Sequence, residues 1–164
     1  MIFAVLVSSL ALAIGLAMFD LVIRELQVSS TVEQSQYAIY AADTAAECAL
    51  YWDFNYTADP YYSAFPDSAS DTAALAATGL WCAGQDVTGG GWGTSALTTV
   101  VTSARSATTT TAMTVGSVYY AQLTVIKNWN ASSMSTSTTI IADGYNTTAI
   151  TSPNVVEREL VVTY

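Results

Sequence analysis

Residues 1–19, MIFAVLVSSLALAIGLAMF, carry no charged side chain, and the first to appear is Asp20. As a helix rising 1.5 Å per residue, this stretch is about 28 Å long, close to the ~30 Å hydrocarbon core of a bilayer. The continuation, DLVIRELQVSSTVEQSQYAIYAADTAAECALYW (residues 20–52), has no proline and no turn signal. Within it Tyr37, Ala41, Thr44, Ala45, Cys48, Ala49 and Trp52 recur at helical spacing. The pattern predicts one helix over residues 1–52, apolar all round at first and then apolar along a single stripe that needs a partner.

That partner is expected in residues 53–164. Pro60, Pro66 and the turn formers of DFNYTADPYYSAFPDSASD end the helix, DTAALAAT suggests a short helix or a crossing segment, and TGGGWG reads as loop. From Ser95 onward ALTTVVTSA, ATTTTAMTV, VYYAQLTVIKNW, TSTTIIADGY and VVERELVVTY are rich in Val, Ile, Thr and Tyr, with turn residues between them. In the last run Val156, Arg158, Leu160, Val162 and Tyr164 alternate with Val155, Glu157, Glu159, Val161 and Thr163, so the glutamates mark the wetter face. The predicted class is α+β: a long N-terminal helix with a hydrophobic first half, packed by its second half against an antiparallel sheet of three to five strands. The chain divides into that helix (1–52) and a β-rich head (53–164).

Composition narrows the function classes. A net charge of −9, with Arg24, Arg105, Lys127 and Arg158 the only cations, leaves no basic patch for nucleic acid. There is no histidine, and two cysteines cannot make a cysteine-based zinc site. Serine nucleophiles lack a histidine partner, and nothing in the sequence converges on the Glu157/Glu159 pair, so neither an enzyme nor a cofactor is expected. Asp53, Asp59, Asp67 and Asp71 lack calcium-loop spacing and read as solvated turn residues. Charged residues make up only 10% of the chain while Ser and Thr abound after residue 88, a composition that suits a secreted protein. No Lys or Arg precedes the apolar run, so we expect a basic leader to have been removed, leaving Met1 as a processed N-terminus; an ordinary start methionine is the alternative.

In an exported chain the first expectation for Cys48 and Cys82 is a disulfide, with two buried free thiols as the alternative. Three Asn-x-Ser/Thr sequons, at Asn55, Asn130 and Asn146, fall in expected loops or strand ends and are candidate glycosylation sites. Trp81, Trp92, Trp129 and the Tyr61–Tyr62 pair are expected either in the core, the commoner fate, or on a sticky surface. Asp20 and Arg24 stand four apart and can pair along the helix, with Glu25 beside them.

The uncharged N-terminal span with SSLALAIG (8–15), the helix segment YAADTAAECALYWD (40–53) and the ending ADGYN…VERELVVTY together resemble the type IV pilins, in particular those of small-genome candidate-phyla bacteria. The resemblance covers nearly the whole chain. By similarity, Cys48 matches the family's disulfide cysteine and Arg158 an arginine of the closing strand. The family implies a prepilin whose basic leader is cut by a prepilin peptidase, leaving a methylated residue, here Met1. Two positions depart from the pattern: Val5 stands where most pilins have glutamate, and Val22 where many have proline, so Gly15 is the local helix weakener that remains. Either the terminal amine is neutralised differently, by Asp20 of another subunit, or Met1 is not the mature terminus.

The resemblance implies a structural subunit, a major pilin, drawn from an inner-membrane pool by the pilus assembly machinery into an extracellular helical homopolymer used in adhesion, motility or DNA uptake. Its core would be packed by Ile2, Phe3, Leu6, Leu10, Ile14, Gly15 and Phe19, with Asp20, Arg24 and Glu25 as the charge-pairing residues. Ala4, Ser8, Ser9, Ala11, Ala13 and Ala17 allow close helix approach. Burying such a span contributes on the order of tens of kcal/mol before ordering costs. The alternatives are a minor pilin or pseudopilin, and a surface binding protein held in the membrane by a single span.

Overall fold

The computed structural model describes residues 2–55, 64–65, 67, 80–86, 98–103 and 105–164. Among these, the order is α1 (Ile2–Asn55), β1 (Trp81–Cys82), β2 (Gln85–Asp86), β3 (Thr98–Ser103), β4 (Ser106–Val115), β5 (Tyr119–Asn130), β6 (Ser135–Tyr145) and β7 (Glu157–Thr163). The expected segments at residues 71–78 and 88–93 lie outside the described residues. The fold is α+β, a long N-terminal apolar helix set against an antiparallel sheet. Contacts divide the chain into two compact units, Met1–Gln34 and Ser35–Tyr164.

The first unit is helix alone. Its apolar side chains surround the axis instead of forming one stripe, and every described residue before Gln34 is exposed. The helix runs through Gly15 without a break. Ser8 Oγ donates to the Val5 carbonyl (3.0 Å) and Ser9 Oγ to the Leu6 carbonyl (2.9 Å). Both hydroxyl protons are thus satisfied within the helix, as an apolar medium requires.

In the second unit five strands form a meander in the order β3-β4-β5-β6-β7, each antiparallel to its neighbours. The sequence alternates accordingly. Ala121, Leu123, Val125 and Lys127 of β5 and Thr138, Ile140, Ala142 and Gly144 of β6 face inward, while their neighbours are wetter. On β7, Leu160 and Val162 are half-buried and Glu157 and Glu159 exposed, as the alternation in that run predicted. The β4–β5 turn passes through Gly116 (φ 62°) and Ser117 (φ 66°), left-handed conformations that suit a tight hairpin.

Helix residues 35–55 lie on the inner face of the sheet. The buried positions are Ala38, Ala41, Ala42, Ala45, Ala46 and Ala49. The expected stripe is therefore centred differently: Ala38, Ala42 and Ala46 join it, while Thr44 and Cys48 are half-buried at its margin. Alanine on this face lets the helix come very near the sheet, closest at Gly144. A Cβ built there would stand 2.5 Å from Ala42 N, 3.0 Å from Ala42 Cβ and nearer still to the Ala38 carbonyl oxygen. Gly144→Ala therefore pushes helix backbone away from strand backbone, neither of which can swing aside as a side chain would. We expect a loss of about 1–3 kcal/mol, the usual range for overpacking, read as a lowered urea midpoint with an unchanged slope.

One further detail differs from expectation. The helix ends at Asn55, so that sequon asparagine occupies a helical terminus, where its Nδ2 donates to the Tyr51 carbonyl (2.9 Å). The GLWCAG stretch contributes to a small hairpin in which Trp81 pairs with Asp86 and Cys82 with Gln85, turned by Ala83 and Gly84 at positive φ. This hairpin delivers Cys82 to Cys48. The two form a disulfide with a Cα–Cα distance of 5.9 Å. Closing such a loop stabilises by about 2–4 kcal/mol.

Candidate assembly surface

Ile2, Phe3, Leu6, Leu10, Ile14 and Phe19 are all exposed in the single chain, from 81% at Ile2 to 49% at Ile14. Nothing stands within 4 Å of a Cβ position at Gly15. This is one helix long and apolar enough to cross a membrane, and it also fits a signal segment. Met1 lies outside the described residues. At the end of the uncharged run, Arg24 Nη2 bonds Asp20 Oδ2 at 3.0 Å. Both side chains are well exposed, so in water the pair is worth at most about 1 kcal/mol.

The apolar surface does not stop at that pair. Leu21, Val22, Leu26, Val28 and Val32 are each more than half exposed. From Ile2 to Val32 the helix is roughly 46 Å long at 1.5 Å per residue, against a hydrocarbon core of ~30 Å. Lipid can therefore cover only part of it. Past residue 20 the helix also acquires a polar line, Asp20, Arg24, Gln27 and Thr31, at i, i+4, i+7 and i+11. Leu21, Val28 and Val32 form an apolar stripe beside that line, and round the remaining circumference Val22, Ile23 and Leu26 alternate with Glu25, Ser29, Ser30 and Glu33.

Within the second unit, polar contacts also fasten the sheet to helix residues 35–55. Lys127 Nζ meets Asp53 Oδ1 at 2.7 Å, with side chains only 9% and 5% exposed. Tyr164 donates its hydroxyl to the other Asp53 oxygen at 2.6 Å. Asp53, expected as a solvated turn residue, is instead the buried centre of a three-member lock joining α1, β5 and the residue after β7. The signal was parity: Lys127 continues the inward series Ala121, Leu123, Val125, and Asp53 is four residues beyond buried Ala49. Near the other end of this helical segment, Arg158 donates through Nε to Ser35 Oγ at 2.7 Å. The ring of Tyr37 stacks on Tyr119 at 4.8 Å between centroids.

The outer face of β6 and β7 is acidic. Asp143 stands opposite Glu159 and Tyr145 opposite Glu157, with the Tyr145 hydroxyl donating to Glu157 Oε1 (3.1 Å). Burial raises the Asp143 carboxyl above its ordinary value, and the charges of Glu159 and Glu157 raise it further. Burial likewise pushes the Tyr145 phenol up to about 12, helped by its bond to Glu157. Because Asp143 binds its proton more tightly folded than unfolded, its contribution favours the fold fully below the unfolded value of 3.8 and is lost as pH rises through the higher folded value. Asp143→Asn should therefore stabilise the protein at pH 7, by on the order of 0.2–1 kcal/mol as for other cross-strand pairs, and make no difference near pH 3. Thermal melts at the two pH values measure this.

Among the other residues singled out by sequence, Trp81 is 61% exposed, on the surface and not in the core that was the commoner of its two expected places, and its carbonyl accepts from Trp52 Nε1 (3.0 Å). Trp129 is half-buried, with Arg105 stacked 3.9 Å above its ring. Asn130 opens the β5–β6 turn, and Asn146 follows β6. Asp59, Asp71, Tyr61, Tyr62 and Trp92 lie outside the described residues. Among the described residues, no group of three or more His, Cys, Asp or Glu side chains could hold a metal ion. Glu25 is exposed on the first unit. Comparison of the chain with protein-family models, curated proteins and solved structures gave no match.

Proposed function

We propose that this chain is a structural subunit of an extracellular filament of the type IV pilus kind, polymerising through the exposed apolar helix of residues 2–32. One observation carries the proposal: the uncovered apolar surface, about 46 Å long at 1.5 Å per residue, exceeds what a bilayer covers, and exposed Leu26, Val28 and Val32 stand past that limit. An anchor that stayed in lipid would leave those side chains in water. A second copy of the same helix covers them, and small residues at Ala4, Ser8, Ala11 and Gly15 let two such helices approach closely.

In this account the bilayer stores the subunit and the polymer is its destination. The precursor sits in the inner membrane with Asp20 and Arg24 near the interface, and a prepilin peptidase frees the N-terminus. The assembly machinery then moves the span from lipid into contact with identical spans. Residues 35–164 are carried outward as the surface unit that meets other cells or substrata. With −9 net charge the subunit is not expected to bind nucleic acid directly. With Val5 in place of an acidic residue, no side chain in the first two turns can pair with the terminal ammonium of a processed Met1, so in this account its counter-charge is Asp20 of another subunit.

The experiment is electron microscopy of material sheared from cells, joined to N-terminal mass analysis of its subunit. Filaments built of this chain with a processed, methylated Met1 are the expected result. A chain released only by detergent, as monomers and without filaments, would point to a membrane-held surface receptor instead.

A further inference from the structure

We infer that Asn130 is a glycan attachment site, and that it is the one of the three sequons that the folded chain presents to a glycosylating enzyme. The inference rests on the extracellular placement proposed above. Asn130-Ala131-Ser132 opens the turn between β5 and β6, and every residue of the turn is exposed. Asn130 engages its side-chain carbonyl, Oδ1 accepting from Ser132 N (2.9 Å) and Ser133 N (3.4 Å). The Nδ2 group, which would carry the sugar, makes no hydrogen bond among the described residues, and neither does the Ser132 hydroxyl.

The other two asparagines are engaged. Asn55 lies in a helical turn with Nδ2 bonded to the Tyr51 carbonyl, a conformation unlike the open turn at Asn130. Asn146 spends both ends of its amide on the following loop: Oδ1 accepts from Val156 N (2.9 Å) and Nδ2 donates to the Asn154 carbonyl (3.3 Å). A sugar on that nitrogen would have to enter the space the loop occupies. Asn130 also lies at the end of the sheet near Lys127 and Asp53, the opposite end from Ser35, where the helix enters the unit.

The chemistry requires a sugar donor activated as a polyprenyl diphosphate. Asn130 Nδ2 attacks the anomeric carbon, forming a C–N bond while the C–O bond to the diphosphate breaks. The bonding electron pair leaves with the diphosphate, and one Nδ2 proton passes to a base of the transferring enzyme. Nothing is oxidised or reduced. The modified amide keeps Oδ1 and one N–H, so the bonds from Ser132 N and Ser133 N survive.

The test is mass spectrometry of the full chain isolated from its native cells, with fragmentation that resolves sites, because trypsin leaves Asn130 and Asn146 on one peptide between Lys127 and Arg158. The expected result is a saccharide mass on Asn130 that disappears in Asn130→Gln and in Ser132→Ala and is unchanged in Asn55→Gln and Asn146→Gln. Ser132→Ala guards against misfolding, since it retains both backbone donors of the turn while removing the hydroxyl the enzyme reads. Bare Asn130 on chains in sheared surface material, or a sugar on Asn55 or Asn146 instead, overturns this inference and leaves the proposed function standing. Bare chains found only inside the cell overturn both.

Discussion

Leu26→Asp abolishes filament formation while leaving the Ser35–Tyr164 unit folded. Leu26 is 66% exposed in the single chain, and the proposed polymer buries it. The substitution forfeits about 1.5–3 kcal/mol of burial for the leucine side chain. It also asks a carboxylate to enter an apolar contact with no partner, which adds several kcal/mol unless the group is protonated. A total near 4 kcal/mol per subunit raises the concentration needed for assembly by about a thousandfold, since each 1.4 kcal/mol is a factor of ten. Gln27→Glu, one residue on but along the polar line of Asp20 and Arg24, is the matched control and should assemble normally. Sedimentation of sheared fractions and circular dichroism of the isolated chain separate loss of assembly from loss of fold.

Lys127→Met has the largest effect expected on the fold itself. It leaves the Asp53 carboxylate buried at 5% exposure with the Tyr164 hydroxyl as its remaining partner in the lock. Removing one member of a buried ion pair typically costs 3–5 kcal/mol, chiefly because the other charge stays desolvated and uncompensated. For a unit of this size that is roughly a 10–20 °C fall in melting temperature. The double substitution Lys127→Met with Asp53→Leu should recover most of the loss, because two apolar side chains of similar volume replace the pair and the partly exposed Tyr164 can bond water. Thermal melts of the full chain in detergent, compared among wild type, single and double variants, give the coupling directly. A double variant as unstable as the single one would mean that the pair contributes attraction well beyond its desolvation cost.

These two residues also mark what could be read without coordinates. The change from an all-round apolar helix to a one-sided one, and then to period-two strands, was legible because each reflects the covering of one face by lipid, sheet or water. The runs of β5 and β6 followed the same rule, and so did the wet face of Glu157 and Glu159 on β7. Pairing across the fold was harder. Asp53 and Lys127 are 74 residues apart, and only the register of β5 on the helix brings them to 2.7 Å. Gly144 resembles an ordinary strand glycine until the Ala38–Ala42 backbone is seen against it. On the helix surface, Asp20, Arg24 and Glu25 were legible as charge-pairing residues, but the apolar side chains between and beyond them were not assigned to the assembly surface. In three dimensions Leu21, Val22, Leu26, Val28 and Val32 are each more than half exposed among those polar residues. The three sequons were identical as strings, and only the hydrogen bonds of each asparagine set Asn130 apart.

Burial of the helix beyond the bilayer is most directly tested by the reactivity of a cysteine placed there. Val28→Cys and, as a reference in an exposed turn of the second unit, Thr151→Cys are each labelled on intact cells with a membrane-impermeant maleimide, the native cysteines being held in their disulfide. The account predicts that Val28→Cys reacts about tenfold or more slowly than Thr151→Cys, because a local opening of the polymer must precede labelling, and that Leu26→Asp removes the protection. Equal labelling rates at the two positions in surface-exposed chains would contradict it.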